Sequence, residues 1–169
     1  VSMIRLVFAL RRLPNLSRAE FQVYWLNQHA PLVAGFATDL NILRYVQTHT
    51  LDDPGNAAAQ KARGNMETEY DGVAELWWAS ETELAEQSSN TAREAGAALL
   101  EDEKKFIDLE NSPIWFAYEY PQINPSPEDI IASPKSNIVR VFFPLRHRDS
   151  ISEKDARRYW LTHHGPIVR

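Results

Sequence analysis

Proton transfer at neutral pH needs an imidazole or a carboxyl in a tuned environment, and three such groups stand out in this sequence: His29, His49 and Glu75. His29 follows Phe21 and Trp25 at helical spacing, so on a helix it lies on an apolar stripe. An imidazole with an ordinary pKa of roughly 6.5 held there can take a proton from a bound molecule and return it. The same placement also suits a core histidine that bonds a carbonyl where Pro31 disturbs the helix. His49 and Glu75 lie in stretches that read as neighbouring strands, and a carboxylate that orients an imidazole is a recurrent catalytic device. Strand register decides whether the two meet; His49 at a strand end suits solvent equally well. Trp25, Tyr45 and Trp78 can supply aromatic walls for a ligand, or simply core. Arg11 shares a strand face with Arg5, where the pair can hold a carboxylate or enolate, or close ion pairs across the sheet.

Other chemistries lack their residues. With no cysteine there is no disulfide, no thiolate nucleophile and no Cys-ligated metal. The six glycines form neither a dinucleotide fingerprint nor a phosphate loop. No His-Glu-x-x-His pattern is present, and the side chains of the adjacent His163 and His164 diverge on a helix. The sequence also contains no nucleophile elbow.

The elements that must position these groups can be read in order. Ile4 to Arg11 alternates as a strand, with Ile4, Leu6, Phe8 and Leu10 on one face, and Ser17 with Glu20 makes a capping box that opens a helix reaching His29. Leu43 to Thr50 and Gly72 to Ala79 read as the second and third strands, separated by a long loop with a helix-prone patch from Ala57 to Lys61. Ser80 and Glu83 open a second helical region that runs to about Asp108 with a break near Ser88 to Thr91, and Ile114 to Tyr120 is a fourth, aromatic strand. The order βαββαβ predicts an α+β, ferredoxin-like module with an antiparallel sheet, the first strand central and the Ile4 row under the helices.

The chain also repeats itself. Tyr24-Trp25-Leu26-Asn27-Gln28-His29-Ala30-Pro31-Leu32-Val33 recurs 135 residues on as Tyr159-Trp160-Leu161-Thr162-His163-His164-Gly165-Pro166-Ile167-Val168, and the register holds back to Met3 and Ile138. The expected organisation is a module over 3–120, a Pro-rich linker over 121–136, and the start of a second module, strand plus helix, over 137–169. A second copy of equal length would need about 86 further residues.

The 169 residues are 44% hydrophobic and 24% charged, which suits a globular chain with a real core. A net charge of -5 argues against a nucleic-acid partner. No run is long enough for a membrane span and no signal arrangement opens the chain, so a cytoplasmic location is expected.

Taken together, Tyr24-Trp25-Leu26 with His29-Ala30-Pro31, Arg44-Tyr45-Val46-Gln47-Thr48-His49, Asp71-Gly72-Val73-Ala74-Glu75-Leu76-Trp77 and Asp102-Glu103-Lys104-Lys105-Phe106 resemble the EthD-domain proteins of the dimeric α+β barrel superfamily. The resemblance implies two sheets meeting face to face in a barrel, within a homodimer or an intramolecular pseudo-dimer. It also implies a pocket between sheet and helices and chemistry without metal or organic cofactor. The implied activity is proton transfer on a small apolar or aromatic molecule, as in a cofactor-free monooxygenase or a polyketide-type cyclase, decarboxylase or dehydratase. The alternative is a non-catalytic ligand-binding or assembly module.

Overall fold

The computed structural model describes residues 3–64, 66–85, 89–123 and 139–168. The chain forms two compact units, one up to Glu119 and one from Tyr120.

The first unit is built on a four-stranded antiparallel sheet of β1 (Ile4–Leu10), β2 (Arg44–His49), β3 (Gly72–Trp78) and β4 (Ile114–Tyr118), in the spatial order β2-β3-β1-β4. With α1 (Arg18–Tyr24) and its extension α2 (Ala30–Gly35) after β1, and α4 (Glu81–Ala85) and α5 (Asn90–Glu103) after β3, this is the ferredoxin-like fold. β1 is central because β3 and β4 both pair with it: Leu6 faces Leu76 on one side and Phe116 on the other. The even row of β1 carries the core, where Phe8 and Leu10 pack with Phe21, Trp25, Ala74, Phe106 and Ile107. Truncation of a buried aromatic such as Trp25 in a site of this kind costs about 3–5 kcal/mol. A smaller cluster of Leu40, Ala92 and Ala95 seats α5.

Local chemistry explains the element ends. The Ser17 side chain accepts from the Glu20 backbone and Glu20 reaches back to the Ser17 backbone, closing the expected capping box. Ser89 caps α5 by accepting from the Ala92 N–H. Within the long loop, Asp53 caps α3 (Pro54–Lys61), which starts earlier than the alanine patch because Pro54 is pre-set for a first helical turn. That loop is pinned by charge: Arg12 pairs with Asp71, Arg18 Nε donates to Asp71 Oδ1 at 3.0 Å, and Gln60 donates to Glu69 at 2.9 Å.

The second unit holds α6 (Glu153–Tyr159), capped by Ser152, then a π turn over Trp160–His164 and α7 (Gly165–Val168). Each of these segments begins 135 positions after α1 (Arg18–Tyr24), the π turn Trp25–His29 and α2 (Ala30–Gly35). The expected strand over 138–146 is absent from the described part: Val139 to Arg146 has no regular structure, and Val139, Val141, Phe143 and Leu145 are exposed. A strand is stable only when a neighbour satisfies its ladder, and the described residues of this unit hold no other strand. Ile138 and most of the linker, over 124–138, lie outside the described residues. Among the described residues no helix is long and apolar enough to cross a membrane.

Candidate active site

His29 is delivered by a π turn. Pro31 has no N–H, and its ring collides with the carbonyl one helical turn back, so an unbroken α ladder cannot pass through it. The disturbance expected from Pro31 takes the form of a π turn ending at His29. The chain widens over Trp25–His29, with the Ala30 N–H donating to the Trp25 carbonyl, and then continues as α2 to Gly35. The added residue also turns the inward stripe beyond it, so that Val33 is buried and Leu32 half-buried.

The stripe places His29 against α5 rather than against β2. His29 Nδ1 lies 2.9 Å from Asp102 Oδ2, and its ring packs on Phe106 with centroids 5.1 Å apart. Tyr24 Oη donates to Asp102 Oδ1 at 2.8 Å, and Lys105 Nζ donates to the same oxygen at 3.0 Å. Burial pushes the Asp102 carboxyl up, but the bonds from His29, Lys105 and Tyr24 outweigh it and hold the carboxyl below its ordinary range. Asp102 is therefore an ionised acceptor, which puts the imidazole proton on Nδ1 and the free lone pair on Nε2. Burial lowers the pKa of His29, and the Asp102 bond opposes that only in part. At neutral pH the ring is thus an uncharged base whose cation, once formed, faces a carboxylate. No described residue bonds Nε2, and 5% of the residue's surface stays open.

A second polar chain runs behind Trp25. Trp25 Nε1 donates to Tyr45 Oη at 3.0 Å, Gln47 Nε2 donates to Tyr45 Oη and to the Trp25 carbonyl, each at 2.9 Å, and His49 Nε2 lies 2.9 Å from Gln47 Oε1. Because that oxygen can only accept, His49 carries its proton on Nε2. The His49 ring stacks on Trp25 at 4.6 Å, and burial lowers its pKa. Burial pushes the Tyr45 hydroxyl up to about 12. Gly72 makes room for this stack: a Cβ there would sit 2.5 Å from Trp25 Cζ3 and 2.9 Å from the Thr48 carbonyl.

The structure therefore joins Trp25, Tyr45 and His49 into one cluster and leaves four of the selected residues outside it: His29, on Asp102, and Glu75, Arg11 and Trp78. His49 and Glu75 do not meet. His49 is opposite Gly72 and Val46 is opposite Glu75, so the strand alternation sends Glu75 to the other sheet face. There Glu75 is fully buried and accepts from Arg5 Nη1 at 2.8 Å, while Arg5 also pairs with Glu119 at 2.7 Å. Arg5 thus makes the ion pairs weighed from the sequence. Among the described residues Arg11 pairs with no carboxylate: it bonds the Thr68 and Glu69 carbonyls and lies 4.2 Å from the Tyr70 ring, tying down the loop. Trp78 is core at the opposite end of β3, donating to the Leu40 carbonyl at 2.7 Å. The role of Asp102 was not read from the sequence. A detectable signal existed: an acid on the inward stripe of α5 with Ala92 and Ala95.

A ferredoxin-like α+β module carrying a buried His–Asp pair between its first helix and α5 is the class that this geometry defines. The EthD domain model matches residues 13–110, and the chain belongs to that family. Among solved structures it is similar to an EthD family protein from Bacillus halodurans, at 17% identity over 70% of this chain and 99% of that one, with a TM-score of 0.47. SnoaB, a cofactor-independent oxygenase from Streptomyces nogalater, shares 12% identity over 72% of this chain and 96% of its own, with a TM-score of 0.43. A dimeric ferredoxin-like protein of unknown function from Thermobifida fusca shares 12% over 70% and 92%, with a TM-score of 0.44. No curated protein matches in sequence.

Proposed function

We propose that the first unit is a cofactor-independent enzyme that moves a proton on a small apolar or aromatic molecule, with His29 as the base and Asp102 as the carboxylate that positions it. The observation that carries this reading is the 2.9 Å bond from His29 Nδ1 to Asp102. It fixes the tautomer, leaves Nε2 as the only acceptor of the ring, and sets a carboxylate to stabilise the imidazolium as it forms. Trp25 and Tyr45 are proposed as the apolar surface that a ligand meets, since their polar atoms are already bonded to each other. Pairing of two modules through their sheets, as a homodimer, belongs to the same proposal.

β-Tetralone, a small aromatic ketone with exchangeable α-hydrogens, tests the reading in deuterium oxide by proton NMR. The protein is expected to accelerate the exchange. His29→Gln, which keeps a donor for Asp102 but has no basic nitrogen, is expected to slow it about 10²-fold to 10⁴-fold. Equal exchange by the two proteins would remove His29 from the chemistry and leave the unit a binding module.

A further inference from the structure

We propose that the Tyr45 hydroxyl donates a hydrogen bond to an oxygen of the bound molecule, so that the site takes small aromatic compounds carrying a carbonyl or enol oxygen. The inference rests on a ligand meeting the Trp25–Tyr45 surface, to which it adds one polar hydrogen, and not on His29 acting as the base. The hydrogen bonds behind Trp25 converge on Tyr45. Gln47 must turn its amide nitrogen to the Trp25 carbonyl, 2.9 Å away, because that oxygen can only accept. The second hydrogen of the same nitrogen goes to Tyr45 Oη at 2.9 Å, while His49 Nε2 donates to Gln47 Oε1. Trp25 Nε1, a donor only, fills the other lone pair of Tyr45 Oη at 3.0 Å. With both lone pairs taken, the Tyr45 hydrogen has to point away from Trp25 and Gln47. Among the described residues none accepts it: the Glu103 carboxyl, pushed up to about 7 by burial and then by Asp102, acts on Tyr45 through its charge. Tyr24 is the contrast, its hydrogen being committed to Asp102 at 2.8 Å. Tyr45 is also half-buried, so part of its surface stays open to a ligand.

A hydroxyl whose oxygen accepts from two donors is polarised by them, which strengthens the bond that it gives in turn. Burial, the largest influence, pushes the hydroxyl up to about 12 against those two bonds, so at neutral pH Tyr45 keeps the hydrogen that it offers. When a base takes the α-hydrogen of a bound ketone, the C–H pair becomes a carbon–carbon double bond and the carbonyl pair moves onto oxygen. That oxygen then carries the negative charge, and the Tyr45 hydrogen bond tightens on it while the proton stays on Tyr45. Return of the proton to carbon restores the ketone, with no electron gained or lost.

β-Tetralone and tetralin differ by one carbonyl oxygen, so their dissociation constants for the whole chain, read by ligand-observed NMR, isolate this bond. Tyr45→Phe, which removes only the hydroxyl, is expected to weaken β-tetralone about 3-fold to 10-fold and to leave tetralin unchanged. Equal losses for the two ligands would make Tyr45 a packing residue and overturn the proposal, as would failure of the unaltered protein to bind β-tetralone. Should Tyr45→Phe not fold, meta-fluorotyrosine at all six tyrosines keeps every hydroxyl and makes it a stronger donor. β-Tetralone is then expected to bind tighter relative to tetralin, and an unchanged ratio would overturn the proposal. If the ligand difference holds while His29→Gln exchanges β-tetralone as fast as the unaltered protein, the base assignment falls and Tyr45 stands. If His29→Gln abolishes exchange while Tyr45→Phe binds both ligands as before, the base assignment stands and Tyr45 is not the donor.

Discussion

At the scale of single residues, the proposed site rests on the bond between His29 and Asp102 on α5. Asp102→Asn removes the charge that favours the His29 cation, so the His29 pKa, already lowered, is expected to fall further, as a nitrogen-NMR titration would show. The same change leaves buried donors less well matched and is expected to cost about 1–3 kcal/mol in a denaturant melt. The pH dependence of stability follows from signs. His29 binds its proton less well when folded, so its contribution is present above its ordinary 6.5 and is lost as the pH falls below that value. Glu103 binds its proton better when folded. Its contribution is present below 4.5 and is lost as the pH rises through about 7. Thermal melts should therefore show Glu103→Gln gaining on the unaltered protein between those two values and holding a constant advantage above them. A difference that does not vary with pH would contradict the placement of Glu103.

Among the elements, the π turn and β3 determine where the groups of the proposed site lie. The π turn keeps the Trp25 carbonyl in use twice, by Ala30 and by Gln47, and so ties the helix to β2 at the level of His29. At Gly72 the close approach of Trp25 and the Thr48 carbonyl leaves no space for a methyl group. Gly72→Ala is expected to cost about 1–3 kcal/mol by overpacking, read from chemical denaturation. It should also disturb the Trp25–His49 stack, seen as a changed tryptophan fluorescence, because the ring must move away from the strand. An alanine variant with unchanged stability and emission would show that the strand can shift to absorb the clash.

For the whole molecule, the outer sheet face is the informative surface. Arg44, Val46 and Thr48 on β2 are half-buried there, and the Arg5 and Arg44 guanidinium groups lie 5.7 Å and 4.8 Å from the Trp77 ring. If two modules meet through this face, the chain sediments as a dimer, and Val46→Glu, which sets a carboxylate into that contact, converts it to a monomer with an unchanged circular dichroism spectrum. A monomer before substitution would rule out the homodimer. The helix of the second unit repeats the segmentation of α1, yet its matching residues are bare: Trp160 is 52% exposed where Trp25 is 1%. The stripe that α1 buries has no counterpart core among the described residues of that unit.

Short-range patterns settled much of this protein before any coordinates. Alternation fixed β1 and the face it turns to the helices, Ser17 and Glu20 fixed the start of α1, and the order of elements fixed the ferredoxin-like topology, because each is dictated by residues within a few positions of one another. The repeat of the Tyr-Trp-Leu segment likewise announced a repeated helix. The partners of the functional groups were decided only by tertiary structure. His29 meets Asp102, 73 residues away, and His49 misses Glu75, because one step of strand register sends a side chain to the opposite face. The π turn is local by contrast: Pro31 breaks the ladder and the helix widens ahead of it, and the same widening over Trp160–His164 ahead of Pro166 occurs with no described strand in that unit.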